Sequence, residues 1–244
     1  MNYKMTIQYD GSRYDGWQRQ GNTDNTIQGK IESVLSRLTG ESVELHGAGR
    51  TDAGVHAEGQ VASVKLAGSR PAAEVMAYLN QYLSEDVAVV DVQQVDERFH
   101  ARLSAVGKVY RYDIRLGATP NVFRRKFQYR VVQSLDVAAM KAAAQLLCGT
   151  HDYRAFCANK RYKKSTVRTV SAIDIAVDGA DMSIIFRGNG FLYNMVRILT
   201  GTLLEVGLGE RKAEDMPEIL ASLDRTRAGK TAPAQGLTLV KVEY

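Results

Sequence analysis

The 244-residue chain has little cysteine and little proline: two Cys and four Pro. Two thiols, Cys148 and Cys157, cannot build a disulfide framework, which points to a reducing compartment and hence a cytoplasmic protein. No run of about 18 apolar residues occurs, so no membrane span is expected. The longest apolar stretch, residues 191–204, is broken by Asn194 and Arg197. Residues 1–6 lack the apolar core of a secretory signal. Glycine and proline show no fibrous or low-complexity pattern, and 45% apolar with 24% charged residues is ordinary for a globular chain. The charge excess is mild, 32 Lys and Arg against 27 Asp and Glu, net +5. It is compatible with an anionic partner or with a merely solvated basic surface.

Periodicity predicts a repeating order of elements. Residues 3–9 alternate as a strand. Residues 26–38 carry Ile27, Ile31, Val34, Leu35 and Leu38 at helical spacing, with Thr26 as N-cap and Gly40 past the end. Short strands follow at 43–45 and 60–66, then a helix from Pro71 to about 83 and a strand at 87–95. This β-α-β-β-α-β order is the split βαβ plan. The second half repeats it loosely. A strand spans 106–116, and Asp136 caps an Ala-rich helix ending before Gly149. Strands 167–177 and 182–187 pair across Asp178-Gly179-Ala180-Asp181. Helices are expected near 192–206 and 213–223, then a last strand at 237–244. The expected fold is α+β, two ferredoxin-like halves with a mostly antiparallel sheet, divided into 1–103 and 104–244.

The densest chemistry is residues 47–57, where Gly47, Gly49 and Gly54 bracket Arg50 and Asp52. Glycine there permits unusual backbone angles and close approach of a ligand. Arg50 and Asp52 are two apart, so an extended backbone puts them on one side. An ionised carboxylate near a guanidinium can act as nucleophile or general base. The same spacing also fits a surface turn in which the two charges simply pair. Neither phosphate-binding glycine pattern is present. His46 and His56 lack further ligands at metal spacing, and Cys148, His151 and Cys157 have no fourth partner nearby. No metal is therefore expected.

Gly49-Arg50-Thr51-Asp52-Ala53-Gly54-Val55-His56-Ala57 resembles the signature of the tRNA pseudouridine synthase A family. Further blocks resemble that family in the same order. They are residues 9–20 (YDGSRYDGWQRQ), Phe99-His100-Ala101-Arg102, Lys108-Val109-Tyr110-Arg111-Tyr112, residues 190–197 (GFLYNMVR) and residues 232–239 (APAQGLTL). Leu103 stands where the family has an aromatic and Val109 where Thr is frequent; both read as packing changes.

The resemblance implies isomerisation of uridine to pseudouridine at positions 38, 39 and 40 of the tRNA anticodon stem-loop, by a cytoplasmic homodimer and without cofactor. The reaction breaks C1′–N1, turns the uracil, joins C1′ to C5 and finally removes the C5 proton. No electrons enter. By resemblance Asp52 is the nucleophile, Tyr110 stacks on the base and takes the C5 proton, and Arg197 pairs with Asp52. Arg50 fills space left by the extruded nucleotide, and Leu237 is an apolar wall. Without the resemblance, Tyr110 reads as a cross-strand aromatic, Arg197 as a snorkelling arginine and Leu237 as core. The cleft is expected between the halves.

Two basic segments suit phosphate and base contacts: residues 159–168, with Lys160, Arg161, Lys163 and Lys164, and residues 123–127 (FRRKF). A synthase acting on another RNA, a non-catalytic RNA-binding module, and a carboxylate hydrolase using Asp52 with Asp15 or Glu58 are the alternatives.

Overall fold

The computed structural model describes residues 1–159 and 164–244. Lys160, Arg161 and Lys163 lie outside the described residues. In chain order the elements are β1 (Asn2–Tyr9), α1 (Ile27–Thr39), β2 (Leu45–Gly47), β3 (His56–Lys65), α2 (Ala72–Tyr82) and β4 (Val87–Val95). Then come β5 (Gly107–Leu116), β6 (Tyr129–Val131), α3 (Val137–Leu146), β7 (Gly149–Asp152), β8 (Val167–Asp178) and β9 (Asp181–Gly188). The last are α4 (Met195–Gly207), α5 (Met216–Ser222) and β10 (Leu237–Glu243). The protein is α+β, with mostly antiparallel pairing. The chain forms two compact units: Met1–Val106 with Thr238–Tyr244, and Gly107–Leu237.

In the first unit β1 pairs antiparallel with both β4 and β3. The far edge of β3 is shared: β2 takes Ala62–Val64, and β10 runs parallel beside His56 and Ala57. The order β4-β1-β3-β2 is that of a split βαβ sheet. The alternation expected in β1 holds, with Tyr3, Met5, Ile7 and Tyr9 buried. Helix α1 starts where its cap predicts: the Thr26 side chain accepts from Gly29 N–H, and Gly40 ends it in the left-handed region at φ 76°. Pro71, expected inside the first turn of α2, sits at the N-cap at φ −56°. Strand β10, expected with the second half, pairs with β3 of the first unit because its parallel partners are there.

In the second unit the sheet order is β6-β5-β9-β8-β7. The β8–β9 hairpin turns through Gly179 and Ala180, with Gly179 at φ 57°. Asp136 caps α3 by accepting from Ala139 N–H. Short β6 and β7 have too few residues for periodicity to reveal. Helix α4 begins three residues later than expected, because Asn194 adopts φ 59° and turns the chain into it. Leu103 is 80% exposed. It fills no core site, so its reading as a packing change is corrected.

Within the second unit α4 lies against the segment at 228–232. Gly201 has no room for a side chain, since a Cβ there would stand 1.7 Å from the Lys230 carbonyl oxygen. Gly229 N–H donates to Thr202 Oγ1 (2.9 Å) and Lys230 N–H to Glu205 Oε1 (2.9 Å). Gly to Ala inside a helix ordinarily stabilises by about 1 kcal/mol. Gly201→Ala should instead destabilise by about 1–3 kcal/mol, because the overlap is with backbone and must push the segment away. Urea unfolding beside wild type measures the sign.

Candidate active site

The segment linking β2 to β3 carries Arg50 and Asp52, and it is fastened by β1, by β3 and by the first unit's N-terminal loop. Trp17, buried at 1% exposure, donates its backbone N–H to the Thr51 carbonyl at 3.0 Å. Gly47 gives the indole its room, since a Cβ there would lie 2.4 Å from Trp17 Nε1. The hydroxyls of Tyr9 and Thr51 are 2.7 Å apart, and both residues are buried. Burial pushes the Tyr9 phenol well above its ordinary range, against the hydrogen bonds with Thr51 and Gln60, so it stays protonated. Gln60, on β3, donates to the Gly49 carbonyl at 3.0 Å. Ala48 N–H donates to the Val61 carbonyl at 2.7 Å.

Asp52 itself opens a tight turn. Its carbonyl accepts from Val55 N–H (3.1 Å), and Gly54 stands at the third turn position with φ 79°. A positive angle there is why glycine is needed. The two loops approach so closely that Gly16, at φ 96°, would put a Cβ 2.8 Å from the Thr51 carbonyl oxygen. Asp52 is half-buried, between buried Thr51 and exposed Ala53. Arg50 is exposed, and its Nε–H donates to Gln18 Oε1 (3.0 Å).

Gln18 is in turn held from α1. Its Nε2–H donates to Gln28 Oε1 (2.7 Å), which also accepts from Arg19 N–H (2.9 Å). Gln28 is buried, and its Nε2 donates to Glu32 Oε1 (2.8 Å) and the Leu45 carbonyl (3.0 Å). Thus helix α1 aims Arg50 through two glutamines. Tyr9, Gln60 and Gln28 carried no site signal in the sequence. Gln28 and Glu32, two polar residues at i and i+4 on the buried face of α1, were the available clue.

The second unit holds the other expected residues. Tyr110, on β5, is 7% exposed, sits opposite Phe186 of β9, and meets the Phe191 ring edge-on at 5.3 Å. Arg197 lies in the first turn of α4, half-buried. Its Nε–H donates to the Ala232 carbonyl (2.7 Å), and its Nη1–H to Asn194 Oδ1 (3.0 Å). Ala232 N–H returns a bond to the Arg197 carbonyl at 3.0 Å. The polar groups answer the cost of a cation on a mostly buried helix.

The same segment is gripped from β5. Tyr112, fully buried, donates its hydroxyl to the Pro233 carbonyl at 2.8 Å. Burial raises the Tyr112 phenol above its usual range, while the Arg197 charge pulls the other way. Gly236 packs under that ring, where a Cβ would be 2.7 Å from Cζ. Leu237, 5% exposed, follows directly. Arg197 and the Leu237 segment are therefore brought together within this unit. Lys164 is exposed on the segment before β8. Among the described residues no group of three or more His, Cys, Asp or Glu side chains could hold a metal. His151 Nε2 is instead 2.9 Å from the Cys148 carbonyl oxygen.

A family model described as tRNA pseudouridine synthase matches residues 5–103 and 143–244. The chain is 48% identical over 243 residues to tRNA pseudouridine synthase A 2 of Bacillus cereus, covering 100% of this chain and 99% of that protein. It is 49% identical over 243 residues to tRNA pseudouridine synthase A of Bacillus sp., with 100% and 99% covered. It is 45% identical over 245 residues to tRNA pseudouridine synthase A of Acetivibrio thermocellus, again with 100% and 99% covered.

Two outcomes follow from the loop geometry. Gly16→Ala should destabilise by about 1–2 kcal/mol, from the left-handed backbone alone. It should also red-shift the emission of Trp17, the one tryptophan, as water reaches the parted loops. The second concerns Asp86, which braces the N-terminal loop through Tyr14 (2.6 Å) and Arg13 (2.9 Å). Burial would raise its carboxyl, but bonds from Ser84, Tyr14 and Arg13 outweigh that and hold it at about 2. A depressed folded pKa stabilises above the unfolded value of about 3.9 and is lost as pH falls toward the folded one. The deficit of Asp86→Asn against wild type should therefore be full at neutral pH and shrink between about pH 4 and 2. Thermal melts across that range check it.

Proposed function

The chain belongs to the tRNA pseudouridine synthase A family and isomerises uridine to pseudouridine in tRNA; we propose that Asp52 is the nucleophile and that uridines 38, 39 and 40 of the anticodon stem-loop are the targets. The observation that carries this reading is the loop at 48–55. A half-buried carboxylate stands on a backbone pinned by Trp17, Tyr9 and Gln60. Covalent catalysis at a sugar or base carbon needs a carboxylate whose place does not drift, since angstrom-scale misplacement costs on the order of a hundredfold in rate.

The remaining roles belong to the same proposal. The target base must leave its stack to be reached. Arg50, exposed and aimed by Gln18, occupies the space it vacates. Tyr110 offers its ring to the base and its hydroxyl to the C5 proton. Arg197 supplies the guanidinium of the catalytic set, and Leu237 an apolar wall. C1′–N1 breaks, C1′–C5 forms, the C5 proton leaves and N1 gains one, so atoms balance without an outside reactant. Lys160, Arg161, Lys163 and Lys164 contact phosphates of the anticodon arm. The working state is a homodimer in the cytoplasm. For the compartment, the support is that Cys148 and Cys157 are free thiols, and that no helix among the described residues is long and apolar enough to cross a membrane.

Tritium release from tRNA labelled at uracil C5 tests the assignment. Asp52→Asn keeps the shape of the side chain and removes its charge. Release should fall by at least about a thousandfold, as for loss of other covalent nucleophiles, with tRNA still bound. Near-normal release by the variant refutes Asp52 as nucleophile. Tyr110→Phe keeps the ring and loses the hydroxyl, and should slow release by about a hundredfold or more, the usual size of a general-base contribution. Full activity there assigns proton removal elsewhere.

A further inference from the structure

The loop between β5 and β6 combines a run of cations with an exposed aromatic ring. No acidic residue occurs from Ile114 to Leu135, a stretch that holds five cations: Arg115, Arg124, Arg125, Lys126 and Arg130. At its tip Phe123 is 95% exposed, beside Val122 at 59%. A phenylalanine in water forgoes about 2 kcal/mol of burial, so an exposed ring among cations marks an interaction surface. The tip is exposed but the loop is hydrogen-bonded internally and at its base. Phe127 N–H donates to the Arg124 carbonyl (2.8 Å), and Arg124 N–H to Asn121 Oδ1 (3.2 Å). Asp181, at the start of β9, receives Gln128 Nε2 at 3.0 Å and Arg124 Nη1 at 3.5 Å. An ordered loop gives up little entropy when it binds.

Gln235, two residues before Leu237, places this loop. Its Nε2 donates to the Gln128 carbonyl at 2.9 Å. The loop base is thus bonded to the segment that Tyr112 and Arg197 grip. A membrane interface would also take cations beside an apolar tip; RNA is favoured because the loop base is bonded through Gln235 to the segment that Tyr112 and Arg197 grip. RNA satisfies both, with phosphates for guanidinium groups and a flat π-face for the ring.

We propose that the loop at 121–128 is a docking element for the tRNA substrate, in which Phe123 stacks on an unpaired nucleobase while Arg125 and Lys126 face phosphates. The proposal rests on the tRNA-isomerase reading and names a contact of the same substrate outside the reacting residues. Arg124 is partly committed to Asp181 and serves mainly to hold the loop.

The experiment measures tRNA binding by fluorescence anisotropy over a salt series, for wild type, Phe123→Ala, Phe123→Leu and Phe123→Trp. The ring is exposed, so melting temperatures should agree among all four. Phe123→Ala and Phe123→Leu should raise Kd on the order of tenfold, and Phe123→Trp should restore it. The KM for tRNA should rise in step with Kd. Arg125→Gln with Lys126→Gln should lower the salt slope by roughly 0.7–0.9 for each phosphate no longer neutralised. A Kd for Phe123→Ala within about twofold of wild type overturns the proposal, since stacking is worth more than that. Wild-type affinity in Phe123→Leu overturns stacking in favour of a merely apolar contact. A changed sedimentation of RNA-free Phe123→Ala overturns it too, assigning the loop to a second copy of the chain. Tritium release by wild type is read separately. Its absence, with Phe123→Ala still weakening tRNA binding, sinks the isomerase reading and leaves the docking loop standing.

Discussion

Asp52 can hold a charge in a fixed place only because the residue before it is tied on both sides. The Thr51 carbonyl accepts from the Trp17 backbone and its hydroxyl meets Tyr9. These bonds lie in buried surroundings, where a missing partner costs more than the bond itself contributes. Thr51 therefore has one arrangement that satisfies its polar groups, and Asp52 inherits that arrangement. The glycines at 16, 47 and 54 serve the same end. Two let backbone or indole come within distances a Cβ would forbid, and one supplies the positive φ that closes the turn.

The second unit solves a related problem with a different charge. Arg197 sits on a helix whose residues are mostly buried, and its guanidinium is met by the Ala232 carbonyl and Asn194. Asn194 does two things at once. Its left-handed backbone starts α4 where it does, and its side-chain oxygen accepts from the arginine one turn on. The segment that answers Arg197 also answers Tyr112 and, through Gln235, the basic loop. Residues 232–236 are therefore a junction where a helix, a strand and a surface loop share one piece of backbone.

Both sites use neutral groups to fix charged ones. Gln18 and Gln28 hold Arg50 from α1, and Asn194 with a peptide carbonyl holds Arg197. An amide binds a guanidinium without neutralising it, so the bond to Gln18 leaves the Arg50 charge available to an anionic substrate. A carboxylate partner would pair with the cation and compete with phosphate.

The sequence by itself determined the longer elements and their order, though not the short strands β6 and β7. Strand β1 alternates because its inward residues are Tyr3, Met5, Ile7 and Tyr9, and α1 begins and ends at Thr26 and Gly40 because caps are local chemistry. The block from Gly49 to Ala57 also marked the candidate loop, since unusual backbone and opposed charges are visible in residue order. What only the tertiary structure decided is what holds each site residue. Periodicity could not show that Gln28 reaches Gln18, that Tyr9 meets Thr51, that Arg197 spends its Nε on a carbonyl 35 residues away, or that β10 returns to β3. Such bonds join residues far apart in the chain and depend on burial. Burial is set by which faces pack together, and no local pattern carries that information.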